Sequence, residues 1–128
     1  MSTDNPPNKV RREARTKNFS QGSFIFREFE SGQEAFIIKT GQVEIFKSVT
    51  NSGVTEEKTL AILQPGTMFG EMALIDNEPR MASARAHDDK VTVLVISHSQ
   101  FGKMLESANP FVKKLLEILA DHVRSKST

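Results

Sequence analysis

The stretch from Phe69 to Ala86, FGEMALIDNEPRMASARA, puts groups of complementary chemistry within a short span. Gly70 turns the chain into a short helical segment, Glu71-Met72-Ala73-Leu74-Ile75. The first N–H groups of a helical turn have no internal partners and lie at its positive dipole end, which favours an anion beside them. Gly70 places no side chain in the way, and Ala73 is small enough for a ligand to rest against the backbone. A polar loop then returns Arg80, whose guanidinium can donate a forked pair of charge-assisted bonds to a phosphate. Glu71 has the opposite character: an ionised carboxylate only accepts hydrogen bonds, so beside a phosphate it needs a donor such as a ribose hydroxyl. Plainer assignments exist for both residues. Glu71 could complement a helix N-terminus, and Arg80 could pair with Asp76 or Glu78 on the surface.

Other chemistries find little support. The absence of cysteine removes disulfide frameworks, thiolate zinc sites and thiol nucleophiles together, and fits a reducing cytoplasm. His87, His98 and His122 have no metal-ligand spacing, so no metal site is expected and the clustered ligands of a cupin-type enzyme are missing. No serine or lysine constellation reads as a nucleophile site, so the protein is not expected to be an enzyme. Met68, Met72, Met81 and Met104 read as core filler. Lysine and arginine number 17 against 16 acidic residues, which gives no strong field for nucleic acid or an anionic membrane. No run of eighteen apolar residues exists, and no apolar stretch follows the polar N-terminus as an export signal requires.

A chain of 128 residues suffices for one domain with one core. Residues 1–17 read as a flexible basic N-terminal arm or short helix, with Lys9, Arg11, Arg12, Arg15 and Lys17 against Glu13. Residues 18–97 carry short apolar or alternating runs between glycine and proline turns, the punctuation of an all-β fold. Phe24 to Phe26 and Ala35 to Ile38 are two such runs. Gln42 to Lys47 alternates at period two, and Asn51-Ser52-Gly53 is a hairpin turn leading to a partner strand over Lys58 to Leu63. Val91 to Ile96, dense in β-branched residues, should be well buried. Residues 98–128 change to helical period. Phe101, Met104 and Leu105 mark a helix ended by Asn109-Pro110. A second helix follows, with Val112, Leu115, Leu116, Leu119 and Val123 as its stripe and Phe111, Ile118 and Ala120 widening it. Such a stripe can cover the β-structure on one side and meet a partner on the other.

The Phe69–Ala86 stretch resembles the phosphate-binding cassette of the cyclic-nucleotide-binding domain family. That family includes the catabolite activator protein, the regulatory subunit of cyclic-AMP-dependent kinase and cyclic-nucleotide-gated channels. Its pattern of Phe-Gly-Glu, an apolar residue, Ala-Leu and then Arg-x-Ala with Ser or Thr is met by Phe69 to Leu74 and by Arg80, Met81, Ala82 and Ser83. The resemblance runs from about Phe19 to Arg124, with Gly22, Gly32, Gly41 and Pro65-Gly66 at the family's turn positions. Phe29 departs from it, standing where a glycine commonly follows the acidic residue of the second strand.

The resemblance implies a mainly β fold with flanking α: an antiparallel β-roll, jelly-roll-like and barrel-shaped, with a short phosphate-binding helix and two C-terminal helices acting as a lid in the same domain. It implies that Glu71 takes the ribose 2′-hydroxyl and Arg80 the cyclic phosphate. Backbone groups of Gly70, Met72, Ala73 and Met81, with Ala82 and the Ser83 hydroxyl, complete the pocket. The base lies against apolar strand residues under the last helix, with Leu119, Val123, Ser127 and Thr128 as capping candidates. In dimeric relatives that helix also pairs with its twin. Cyclic-GMP-preferring members often carry threonine after the cassette arginine; Met81 stands there, which points to cyclic AMP. The expected protein is a cytoplasmic, stand-alone sensor with no cofactor beyond its nucleotide ligand. It would signal through its last helix to an effector protein or its own homodimer, without a DNA-binding domain, since helix-turn-helix recognition needs two helices beyond Arg124. The alternative is a ligand-free structural or dimerisation module on the same fold.

Overall fold

The computed structural model describes residues 15–127. Its strands are β1 (Arg15–Ser20), β2 (Phe24–Phe26), β3 (Glu34–Thr40), β4 (Val43–Asn51), β5 (Val54–Leu63), β6 (Met68–Phe69), β7 (Ser83–Ala86) and β8 (Lys90–Ser97). A 3₁₀ helix (Glu71–Leu74) lies between β6 and β7, and α1 (His98–Glu106) and α2 (Pro110–Ser127) follow β8. All pairings are antiparallel. They form two four-stranded sheets, β1-β8-β3-β6 and β2-β7-β4-β5.

The expected antiparallel β-roll is present, with its two sheets open rather than closed into a barrel. β1 and β6 are edges of one sheet and β2 and β5 of the other. What joins the layers is a core of Phe36, Ile38, Val43, Phe69, Ala84, Ala86, Val91, Val93 and Val95. β8 supplies the last three of these on one face, while Thr92, Leu94 and Ile96 on the other are half-buried. β1 corrects a second boundary: residues 15–17, expected in the arm, pair with Val93 to Val95 of β8. The rest of the arm, residues 1–14, lies outside the described residues.

The β4–β5 turn is a two-residue connection in which Ser52 and Gly53 have φ of 53° and 81°. Positive φ at both central positions matches the right-handed twist of the strands it joins. Period two makes Glu44 point away from Val43, yet Glu44 is buried. Its carboxylate accepts the Arg85 Nε–H at 2.8 Å and the Thr59 hydroxyl, and Arg85 also reaches Glu57 at 2.9 Å. These bonds tie β4, β7 and β5 together on that face.

The Arg85 hydrogen bond, then that of Thr59, holds the Glu44 carboxyl below its usual range against the opposing effect of burial. A carboxyl with a depressed folded-state pKa contributes stability that is present above its unfolded pKa of about 4.3 and is lost as pH falls through the folded value. The urea midpoint is therefore expected to drop below about pH 4.3, and Glu44→Gln to flatten that drop. Parallel acid limbs in the two proteins would contradict this role.

α1 begins with a reciprocal cap: Ser97 Oγ accepts the Gln100 N–H at 3.0 Å and Gln100 Oε1 accepts the Ser97 N–H at 2.9 Å. Asn109 starts α2, its Oδ1 accepting the Phe111 N–H at 2.7 Å with Pro110 in the first turn. α2 faces the rest of the domain along a narrow line, with Leu116 and Arg124 half-buried and Ala120 buried. Phe111, Val112, Leu115, Ile118, Leu119 and Val123 are exposed. Neither described α-helix is long and apolar enough to cross a membrane.

Candidate functional site

Gly70 caps the 3₁₀ helix in the left-handed region, at φ 71°. Its Cα and that of Gly32 bound the Arg80 guanidinium closely. A Cβ on Gly32 would lie 2.5 Å from Nη2 and 2.6 Å from Nε, and one on Gly70 would lie 2.9 Å from Nη1. The guanidinium stacks on Phe26, 4.1 Å from the ring centroid, and Phe26 packs with Phe36 and Phe69 at 6.0 Å each. Arg80 thus rests on an aromatic floor, and it is only 8% exposed.

Its partners are backbone carbonyls, not the carboxylates of Asp76 or Glu78. Nη1 donates to Gly70 O at 3.2 Å and Nη2 to Glu34 O at 2.9 Å, while the buried Nε has no partner among the described residues. Burial pulls the Arg80 pKa below its ordinary value, only partly offset by attraction to Glu34 and Glu30. A buried cation held by neutral acceptors is electrostatically incomplete, and an anion would complete it.

Arg80 opens on a cavity of about 540 Å³, within the ordinary range for small-molecule sites. Gly70, Glu71, Met72, Ala73, Arg80, Met81, Ala82 and Val123 all line it, so seven cassette residues and one capping candidate meet at one place. Ile45, Leu60, Leu63 and Met68 add apolar wall, and Lys47, Glu78 and Arg124 add charge. Glu71 is exposed, free to accept from a ligand hydroxyl. The Ala73 N–H is partly used within the turn, donating to Gly70 O at 3.3 Å.

Two described candidates fall elsewhere. Ser83 begins β7, is buried, accepts the Glu28 N–H on Oγ at 2.9 Å and does not line the cavity, which corrects its assignment to the pocket. Leu119 is 52% exposed and also off the cavity, because the line Leu116, Ala120, Arg124 faces the domain and Leu119 turns to solvent. The Ser127 side chain and Thr128 lie outside the described residues.

Phe29, at a position where glycine is commonly expected, adopts a left-handed φ of 72°, and its N–H donates to Arg80 O at 2.9 Å while the Arg80 N–H donates to Glu30 O at 2.8 Å. A left-handed conformation costs a non-glycine residue roughly 1–2 kcal/mol, partly offset by the greater backbone freedom glycine loses on folding. Phe29 is 77% exposed, so little packing is at stake. Phe29→Gly is expected to raise unfolding free energy by up to about 1 kcal/mol. A lower urea midpoint would show that the ring contributes contacts of its own.

Sequence reasoning missed Gly32 and Phe26 as the seat of Arg80, and Arg124 as a cavity residue. The spacing of four from Leu116 through Ala120 to Arg124 is the signal that would have found the last.

A buried arginine thus faces a cavity between a 3₁₀ turn and the last helix of a domain built on paired antiparallel sheets. The cyclic nucleotide-binding domain family matches residues 16–108, and the chain belongs to that family. It is 34% identical over 87 residues to the cGMP-dependent protein kinase egl-4 of Caenorhabditis elegans, covering 68% of this chain and 11% of the kinase. It is 31% identical over 106 residues to the cyclic AMP receptor protein of Thermus thermophilus, covering 83% of this chain and 47% of that protein. Among solved structures, the cAMP-bound EAL enzyme Bd1971 superposes with a TM-score of 0.76 at 35% identity, over 88% of this chain and 29% of that one. The chain thus spans less than half of each of these relatives.

Proposed function

We propose that this chain is a non-catalytic receptor module that binds cyclic AMP in preference to cyclic GMP and passes the binding event to another protein through α2. The observation that carries it is the buried Arg80 guanidinium, held among the described residues by backbone carbonyls at the wall of a cavity that also presents Glu71. A cyclic phosphate supplies the missing anion, and the ribose 2′-hydroxyl supplies the donor Glu71 needs. The apolar wall suits a base, and the kinase, receptor protein and EAL enzyme named above concern cyclic nucleotides by their own names. The module needs no resident cofactor or metal and works in the cytoplasm.

Calorimetric titration with each nucleotide, on protein freed of bound ligand, tests this directly. Binding of neither would leave the rival reading, a ligand-free dimerisation module, which the exposed apolar side of α2 favours. A homodimer through that side is compatible with both readings.

Preference for cyclic AMP rests on Met81, which lines the cavity without a hydroxyl to offer a guanine. Met81→Thr is expected to improve cyclic GMP binding relative to cyclic AMP by several-fold, about the worth of one neutral hydrogen bond. An unchanged ratio would remove Met81 from base selection.

A further inference from the structure

We propose that Asp76 and Arg124 form the latch that fastens α2 to the phosphate-binding loop, making them positioning residues for the nucleotide rather than contacts to it. This inference rests on the nucleotide-binding reading above. Arg124 donates from Nε to Asp76 Oδ2 at 2.6 Å, from Nη2 to Asp76 Oδ1 at 2.9 Å, and from Nη1 to Pro79 O at 3.0 Å. One helical side chain therefore grips both ends of the loop that delivers Arg80.

The grip is well placed to matter. The side chains of Arg124 and Asp76 are 18% and 19% exposed, so the pair is shielded from much of the screening that weakens surface pairs. Asp76 Oδ1 also accepts the Glu78 N–H at 3.2 Å, so the carboxylate that holds the helix also shapes the loop. Pro79, whose carbonyl takes the third bond, is joined directly to Arg80. α2 itself has little other purchase, since Ala120 is its one buried residue among those whose side chains are described. Whatever holds the helix over the cavity favours the state that encloses a ligand, and by linkage the ligand favours the latched state equally.

Asp76→Asn keeps the side-chain oxygen that accepts Glu78 while removing the charge, and Arg124→Met keeps the stem while removing the fork. Each is expected to lower cyclic AMP affinity about tenfold, mainly through faster dissociation, and to increase amide exchange across residues 110–124 in the nucleotide-free protein. Exchange in β3 and β8 should stay at the wild-type rate, which a general loss of stability would not permit. The double variant should bind no more than about twofold more weakly than Arg124→Met alone, because the two residues act as one unit. Should Arg124→Met fail to fold, Arg124→Lys, which keeps the charge but loses the fork, enters the same comparison. Wild-type exchange over α2 in both single variants would overturn the latch, and so would a double variant whose loss is the product of the two singles. A wild-type protein that binds neither cyclic nucleotide overturns the underlying reading instead, and the wild-type titration alone reveals that.

Discussion

An Arg80→Met variant should bind cyclic nucleotide on the order of a hundredfold more weakly, or worse, and yet unfold at nearly the wild-type urea concentration when no nucleotide is present. The binding loss follows from the fork: two charge-assisted bonds contribute about 1.5–3 kcal/mol each, and every 1.4 kcal/mol or so is tenfold. The small effect on stability follows from what surrounds the guanidinium. Among the described residues it donates to Gly70 O and Glu34 O alone, leaves Nε bare, and is buried without a carboxylate in hydrogen-bond contact. Methionine gives up those two bonds and the stacking on Phe26, but it also relieves the burial of an uncompensated charge. These terms oppose each other, and a net change within about 1 kcal/mol is expected. Glu71→Gln removes one charged acceptor from an exposed position, so its loss should be nearer tenfold. Calorimetry with parallel urea titrations reads both quantities. Wild-type affinity in Arg80→Met would end the phosphate assignment. A stability loss of several kcal/mol would recast Arg80 as a structural strut.

Side chains that declare their surroundings are legible in the sequence. The alternation over Gln42 to Lys47, the β-branched run at Val91 to Ile96 and the Ser52-Gly53 turn follow from local rules, and the strands appear there. The cassette is legible because its residues act in chain order around one turn. What escapes is set by contacts distant in sequence. The acceptors that hold Arg80 are backbone carbonyls, which any residue could provide, so nothing in the identity of Glu34 announces them. Asp76 finds Arg124 instead of Arg80 only once α2 has docked, across 48 positions. The chemistry of Ser83 suits a phosphate, which is why it reads as part of the pocket, but β7 starts with that residue and strand alternation turns it inward to Glu28. The open sheets depend on whether distant edges meet, a matter no local pattern records.

Gly32→Ala should lose nucleotide affinity nearly as far as Arg80→Met, at least tenfold, although Gly32 offers no group to the ligand. The added Cβ would lie within 2.8 Å of three guanidinium atoms, Nη2, Nε and Cζ. A flexible side-chain end could ordinarily swing aside, but this one is bounded by Phe26 beneath it and by Gly70, where a Cβ would itself come within 2.9 Å of Nη1. The fork must therefore leave its seat, and the phosphate loses oriented donors rather than charge alone. Gly32 does not have the positive φ that penalises side chains, so alanine fits its backbone and should leave unfolding free energy within about 1 kcal/mol of wild type. Gly70→Ala differs on that point: its φ of +71° adds backbone strain, and both stability and affinity should fall. Gly102→Ala is the control and should bind as wild type does, because a Cβ there would meet nothing within 4 Å and the residue has no positive φ. If Gly32→Ala also binds as wild type does, the guanidinium has room that the seat between Gly32, Gly70 and Phe26 denies it, and phosphate recognition cannot depend on that seat.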